Sequence, residues 1–164
     1  MEKAETPLQH VQATIAQACQ IARREPGEVT LIAVSKMHPA AAIEPLLREG
    51  QRHFGENRVQ EAQGKWPALR EAHPAVQLHL IGQLQSNKAD DAVALFDVIH
   101  SLDRPSLVTA LGKAMDKADK RVPCFVQVDL GEEQQKGGCP VAELPALLDQ
   151  ARSADIPVTG LMCL

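Results

Sequence analysis

Apolar positions follow two alternating patterns along this chain. Short runs of branched residues are separated by stretches in which apolar residues recur every three or four positions. The first such stretch places Leu8, Val11, Ile15, Ala18 and Ala22 on one stripe, predicting an amphipathic helix over about residues 5–25. Thr6 is placed to cap it, Pro7 suits the first helical position, and Gln9 completes a Thr-x-x-Gln capping box. Pro26-Gly27 ends it.

The run Leu31-Ile32-Ala33-Val34-Ser35-Lys36 comes next and reads as a strand buried on both faces, as in a parallel sheet covered by helices. Lys36 then stands at its carboxyl end, where α/β folds gather their chemistry. An amine at the rim of an apolar core loses hydration, which lowers its pKa and suits it to attack an aldehyde or ketone. Helical spacing returns at Ile43, Leu46 and Leu47, closed by Gly50, with Pro45 predicting an irregular or late first turn.

Five further strands follow: near Arg52-His53-Phe54, then Val76 to Gly82, Val98 to Leu102, Cys124 to Asp129, and Val158 to Leu164. Between them lie a polar helix reaching about Arg70, a helix over 87–96 with Ala89, Val93 and Phe96 inward, and one containing Leu107, Leu111, Ala114 and Ala118. Asp103 is placed to cap that last helix. A glycine-containing loop over 131–138 leads to a helix with Leu144, Leu147 and Leu148. Six strands, each but the last followed by a helix, imply parallel pairing in one domain spanning 1–164. Either an open doubly wound sheet or a (β/α) barrel closes such a pattern. The lack of a glycine-rich phosphate loop after the first strand counts against a nucleotide-binding sheet.

Composition narrows this picture. A formal net charge of -4, with no basic cluster interleaved with aromatics, argues against nucleic acid. Cys19, Cys124, Cys139 and Cys163 lie far apart, which excludes a zinc or disulfide pattern and suits a reducing, cytoplasmic setting. Neither a signal segment nor an apolar run of about 20 residues is present, so no membrane partner is expected.

Three segments, taken in order, are distinctive: Ala33-Val34-Ser35-Lys36, Phe54-Gly55-Glu56-Asn57-Arg58-Val59-Gln60-Glu61, and His79-Leu80-Ile81-Gly82-Gln83-Leu84-Gln85-Ser86-Asn87-Lys88. With His100-Ser101-Leu102-Asp103, Lys136-Gly137-Gly138 and Gly160-Leu161-Met162-Cys163, the pattern resembles the pyridoxal phosphate homeostasis protein family (the YggS/PROSC type). That resemblance implies a TIM-type (β/α) barrel like the alanine racemase N-terminal domain, here about six βα units and therefore incomplete. It also implies pyridoxal 5′-phosphate (PLP) held as a Schiff base on Lys36, in a protein that buffers or delivers the cofactor without established turnover. PLP-dependent apoenzymes would be the recipients.

The sequence departs from the family in two places. Leu78 stands where an aromatic residue is usual, and family members continue beyond the Gly-Leu-Met-Cys motif into strands that hold the phosphate. Losing those contacts is expected to remove roughly 5–10 kcal/mol of binding. It also leaves unpaired edges at the first and sixth strands, inviting aggregation or swapping.

The cofactor-binding residues expected are Lys36, Asn57 and His79. Asn57 has a competing role as a helix N-cap, and His79 one as a hydrogen-bonded core histidine. Lys88 and Lys136 read as surface charges or transient stops for an aldehyde, Ser86-Asn87 as helix capping, and Met162 and Cys163 as packing. Two other functions fit the residues. One is a Schiff-base enzyme, racemase-like or a class I aldolase drawing on Asp103 and Asp129; the other is a partner-binding module with a vestigial site.

Overall fold

The computed structural model describes residues 4–131 and 136–164. Strands β1 (Ala33–Val34), β2 (His53–Glu56), β3 (Gln77–Leu80), β4 (Val98–Leu102) and β5 (Cys124–Asp129) run parallel in that order. The outer edge of β5 takes two partners: β7 (Val158–Met162) along Cys124 to Gln127, and β6 (Cys139–Pro140) at Val128 and Asp129. Helices α1 (Pro7–Ala22), α2 (Ala40–Arg48), α3 (Val59–Ala72), α4 (Ala89–Leu95), α5 (Pro105–Ala118) and α6 (Leu144–Ser153) alternate with them. These are successive units of a TIM-type (β/α) barrel, with the β1 and β7 edges unpaired among the described residues.

One face of the sheet packs on the helices. Phe54 and Leu78, opposite each other in register, are fully buried there, and Trp66 of α3 packs its ring 5.1 Å from that of Phe54. Leu78, where the resemblance implies an aromatic residue, thus fills a core position. Leu107, Leu111 and Met115 of α5 and Val93 of α4 extend the same core. The helix described above as polar also contributes: Val59, Ala62, Trp66 and Leu69, spaced three and four apart, all turn inward.

Several expectations need correction. The first strand holds two residues rather than six, and it is not buried on both faces, for Val34 is 49% exposed. Val34 lines a cleft at the strand ends instead of packing beneath a helix, and an apolar run in sequence does not show which face is covered. The predicted stripe of α1 is only partly used: Leu8 and Cys19 are buried, but Val11 is 43% exposed. That helix ends at Ala22, where Arg23 turns left-handed (φ 54°) and its N–H returns to Cys19 and Gln20 carbonyls, before Pro26-Gly27 is reached. Its capping box forms as expected, with Thr6 accepting from the Gln9 N–H.

Pro45 lies inside α2, which starts regularly at Ala40. Ala118 is exposed, and β7 stops at Met162. The short strand β6 adds a seventh to the six predicted. Of the loop over 131–138, residues 132–135 lie outside the described residues.

Candidate functional site

The carboxyl ends of β1, β2, β3, β5 and β7 surround a cleft of ≈ 480 Å³. Lys36, Asn57, Gln83, Gln127, Lys136 and Cys163 supply its polar lining, and Val34, Ile81 and Met162 much of the apolar part. Lys36 sits in a turn two residues past the carboxyl end of β1 and is exposed on the cleft. Val34 beside it is exposed on the same cleft. The lysine amine makes no hydrogen bond or ion pair among the described residues.

Asn57 lines the same cleft, and Arg58 rather than Asn57 occupies the N-cap position of α3, with no side chain capping that helix. Gly82 brings the backbone of β3 against it: a Cβ at Gly82 would stand 2.3 Å from the Asn57 carbonyl oxygen.

His79 lies away from the lining of this cleft. It sits within a file of imidazoles, its Nε2 2.9 Å from His53 Nδ1 and its Nδ1 2.8 Å from His100 Nε2. The His100 ring stacks on Phe125 at 4.6 Å. Burial lowers the His79 pKa from 6.5 to about 4, and His100 and His53 add to the effect.

The remaining candidates separate. Lys136 joins the Lys36 cleft because Gln127, a buried amide in β5, donates from Nε2 to the Lys136 carbonyl at 2.9 Å. Lys88 lies in a neighbouring cleft with Arg58. Ser86 and Asn87 form a short 3₁₀ turn whose start has no side-chain cap.

Asp103 does not cap α5. Its carboxylate accepts from the Gly138 N–H at 3.1 Å and from Arg104 at 2.9 Å, tying down the loop that carries Lys136. That loop needs its glycines, since Gly137 and Gly138 have φ of +71° and +114°. Asp129 accepts from the Gly131 N–H, closing a local turn.

The main residues missed in the sequence are Glu56, Lys65 and Trp66. Glu56 is wholly buried, and its Oε1 accepts from Trp66 Nε1 at 2.7 Å, Ser35 Oγ at 2.9 Å and Lys65 Nζ at 2.7 Å. A carboxylate at the end of a strand that must be covered by helices was the available signal.

Against known proteins, residues 7–164 match the family model described as alanine racemase, N-terminal domain. The pyridoxal phosphate homeostasis protein of Pseudomonas aeruginosa is 37% identical over 155 residues, covering 94% of this chain and 66% of the relative. That of Escherichia coli K12 is 36% identical, covering 96% of this chain and 68% of the relative. The chain belongs to this family. It spans about two thirds of the length of these homeostasis proteins. A solved member, PipY of Synechococcus elongatus with PLP bound, is 41% identical, covers 92% of this chain and 70% of its own, and superimposes with a TM-score of 0.78. In this member of the pyridoxal phosphate homeostasis proteins the three sequence segments meet at the site. They form the cleft wall, its glycine contact and the buried carboxylate beneath it. Among the described residues, no helix is long and apolar enough to cross a membrane.

Proposed function

We propose that this chain binds pyridoxal 5′-phosphate in the β-strand-end cleft, holds it as a Schiff base on Lys36, and takes part in cytoplasmic PLP homeostasis by passing the cofactor to apoenzymes. The observation that carries this reading is the Lys36 amine, unpaired among the described residues, on a cleft of ≈ 480 Å³ at the strand ends. That volume lies within the roughly 300–1,000 Å³ typical of small-molecule sites. The PLP-bound state of PipY, at 41% identity, supports the same ligand.

The cofactor supplies an aldehyde, which takes up the lysine amine with loss of one water. The chain's own residues supply the rest: Lys36 the amine, Asn57 an amide at the cleft wall, and Val34, Ile81 and Met162 apolar surface for a ring. His79 lies outside this lining, between the imidazoles of His53 and His100.

The acids and bases around Lys36 bear on holding against turnover. Asp103 and Asp129, the carboxylates an aldolase reading draws on, accept from the loop N–H groups of Gly138 and Gly131. Among the described residues no Asp or Glu side chain lines the cleft, and Lys136 is the second lysine on it.

The test is titration of the chain with PLP. A near-ultraviolet to visible imine band is expected, with borohydride trapping the label on the peptide containing Lys36. Lys36→Ala is expected to abolish both. Equal labelling of wild type and variant overturns the assignment, and turnover of amino acids or ketoses overturns the carrier role.

A further inference from the structure

The turn that carries Lys36 is held from outside itself. Ser35 to His38 close a turn through the His38 N–H to the Ser35 carbonyl at 3.1 Å. Met37, its third residue, takes φ +62° and is 86% exposed, so neither glycine's freedom nor burial keeps it there. A methionine in this left-handed region persists only where surrounding contacts over-determine it.

Those contacts converge from α3. Lys65 Nζ donates to the Ser35 carbonyl at 2.7 Å and to the His38 carbonyl at 2.9 Å, one at each end of the turn. The Met37 N–H between them donates to Glu61 Oε1, which also lies 3.3 Å from Lys65 Nζ. This backbone hydrogen bond, with Lys65 acting in the same direction, holds the Glu61 carboxyl below its ordinary range. The Lys65 side chain is only 11% exposed, and its ammonium is fixed by Glu56, 2.7 Å away, whose buried oxygen also accepts from Ser35 Oγ. Lys65 sits one turn after Glu61 on α3, so one helix face supplies both the donor and the acceptor.

We propose that Lys65 is a positioning residue: anchored on Glu56, it clamps both ends of the Ser35–His38 turn and fixes where Lys36 presents its amine to the cleft. Glu61 completes the clamp through the Met37 N–H. The functional part rests on Lys36 being the lysine that takes the aldehyde; the clamp itself does not.

Removing Lys65 alone strands a buried carboxylate, which threatens the fold. Two variants avoid this. Glu56→Gln with Lys65→Gln removes both charges together, and Glu61→Ala leaves the buried pair intact. Two readouts are taken on each: amide hydrogen exchange of the segment spanning residues 33–42 without PLP, and the imine band and its pH midpoint with PLP. The clamp predicts faster exchange confined to this segment at an unchanged thermal midpoint. It also predicts imine occupancy lower by about tenfold in the double variant, with a displaced pH midpoint. Unchanged exchange overturns the clamp. Faster exchange with an unmoved imine band and pH midpoint overturns the positioning role. A wild-type chain that forms no imine, while its variants still lose protection, removes the Lys36 reading and leaves the clamp standing.

Discussion

His79 and His100 face each other inside the curved sheet with 2.8 Å between Nδ1 of one and Nε2 of the other, and His53 extends the file at 2.9 Å. Each contact needs one N–H and one lone pair, so three neutral rings satisfy both. Burial disfavours the imidazolium of His79 most, its histidine neighbours add to this, and Asp97 opposes it weakly. Burial lowers His100 as well.

A pH dependence follows. The unfolded chain takes up a proton at His79 near pH 6.5, while the folded chain stays neutral there until about pH 4. Stability from this residue is therefore complete above about pH 6.5 and is lost as pH falls towards 4, by up to about 3 kcal/mol. The expected result is a thermal midpoint that declines across this window in wild type and declines less in His79→Gln. Parallel curves for the two proteins would place the proton uptake elsewhere.

Gly82→Ala is expected to destabilise the chain and to disturb the cleft. The added Cβ would meet the Asn57 carbonyl oxygen at 2.3 Å and its Cα at 2.8 Å, and both are backbone atoms with little room to move. Overpacking of this kind costs about 1–3 kcal/mol. Chemical denaturation measures that loss, and PLP titration checks the accompanying fall in affinity as Asn57 is pushed aside. A variant of wild-type stability would mean that the strand-end backbone yields freely.

Much of this fold is legible in sequence because the signals are local. The Thr6–Gln9 capping box, the buried positions of β2 to β5 and the Leu107–Leu111 stripe each depend on spacing within a few residues. What sequence concealed depends on distant partners. Asp103 is recruited by Gly138, 35 residues away, so its role as a loop anchor cannot be read from the helix it precedes. The two residues of β6 are a strand only because β5 has a free edge opposite Val128.

Within the site, Lys36 and Asn57 were readable as motif positions. The Lys65–Glu56 pair was not, since a helix read as polar gives no sign of what a buried indole N–H or the neighbouring ammonium must satisfy.

Trp66→Phe tests that buried network. The ring is retained against Phe54, but Glu56 Oε1 loses a 2.7 Å donor while its Oε2 already has no hydrogen-bond partner among the described residues. Loss of a hydrogen bond to a buried charge costs about 1.5–3 kcal/mol. Because the cost arises from the carboxylate, Glu56→Gln in the same chain is expected to return part of it, giving a measurable coupling in a double-mutant cycle. Strict additivity of the two substitutions would show that Trp66 contributes by packing alone.

Cys163 offers a probe of the cleft that does not depend on absorbance. It is exposed and lines the same cleft as Lys36, whereas Cys19, Cys124 and Cys139 are buried. Burial also pushes the Cys124 thiol up to about 12 and raises that of Cys139, with Glu143 and Asp103 adding to the latter, so neither offers thiolate near neutral pH. One fast-reacting thiol is therefore expected in the native chain, against four after unfolding. Since the ligand proposed for Lys36 would share a cleft with this sulfur, PLP should slow the labelling of Cys163 in wild type and leave it unchanged in Lys36→Ala. Conversely, a bulky adduct at Cys163 should reduce the imine band. An imine band that forms in full while Cys163 reacts at its unliganded rate would place the ligand away from this cleft.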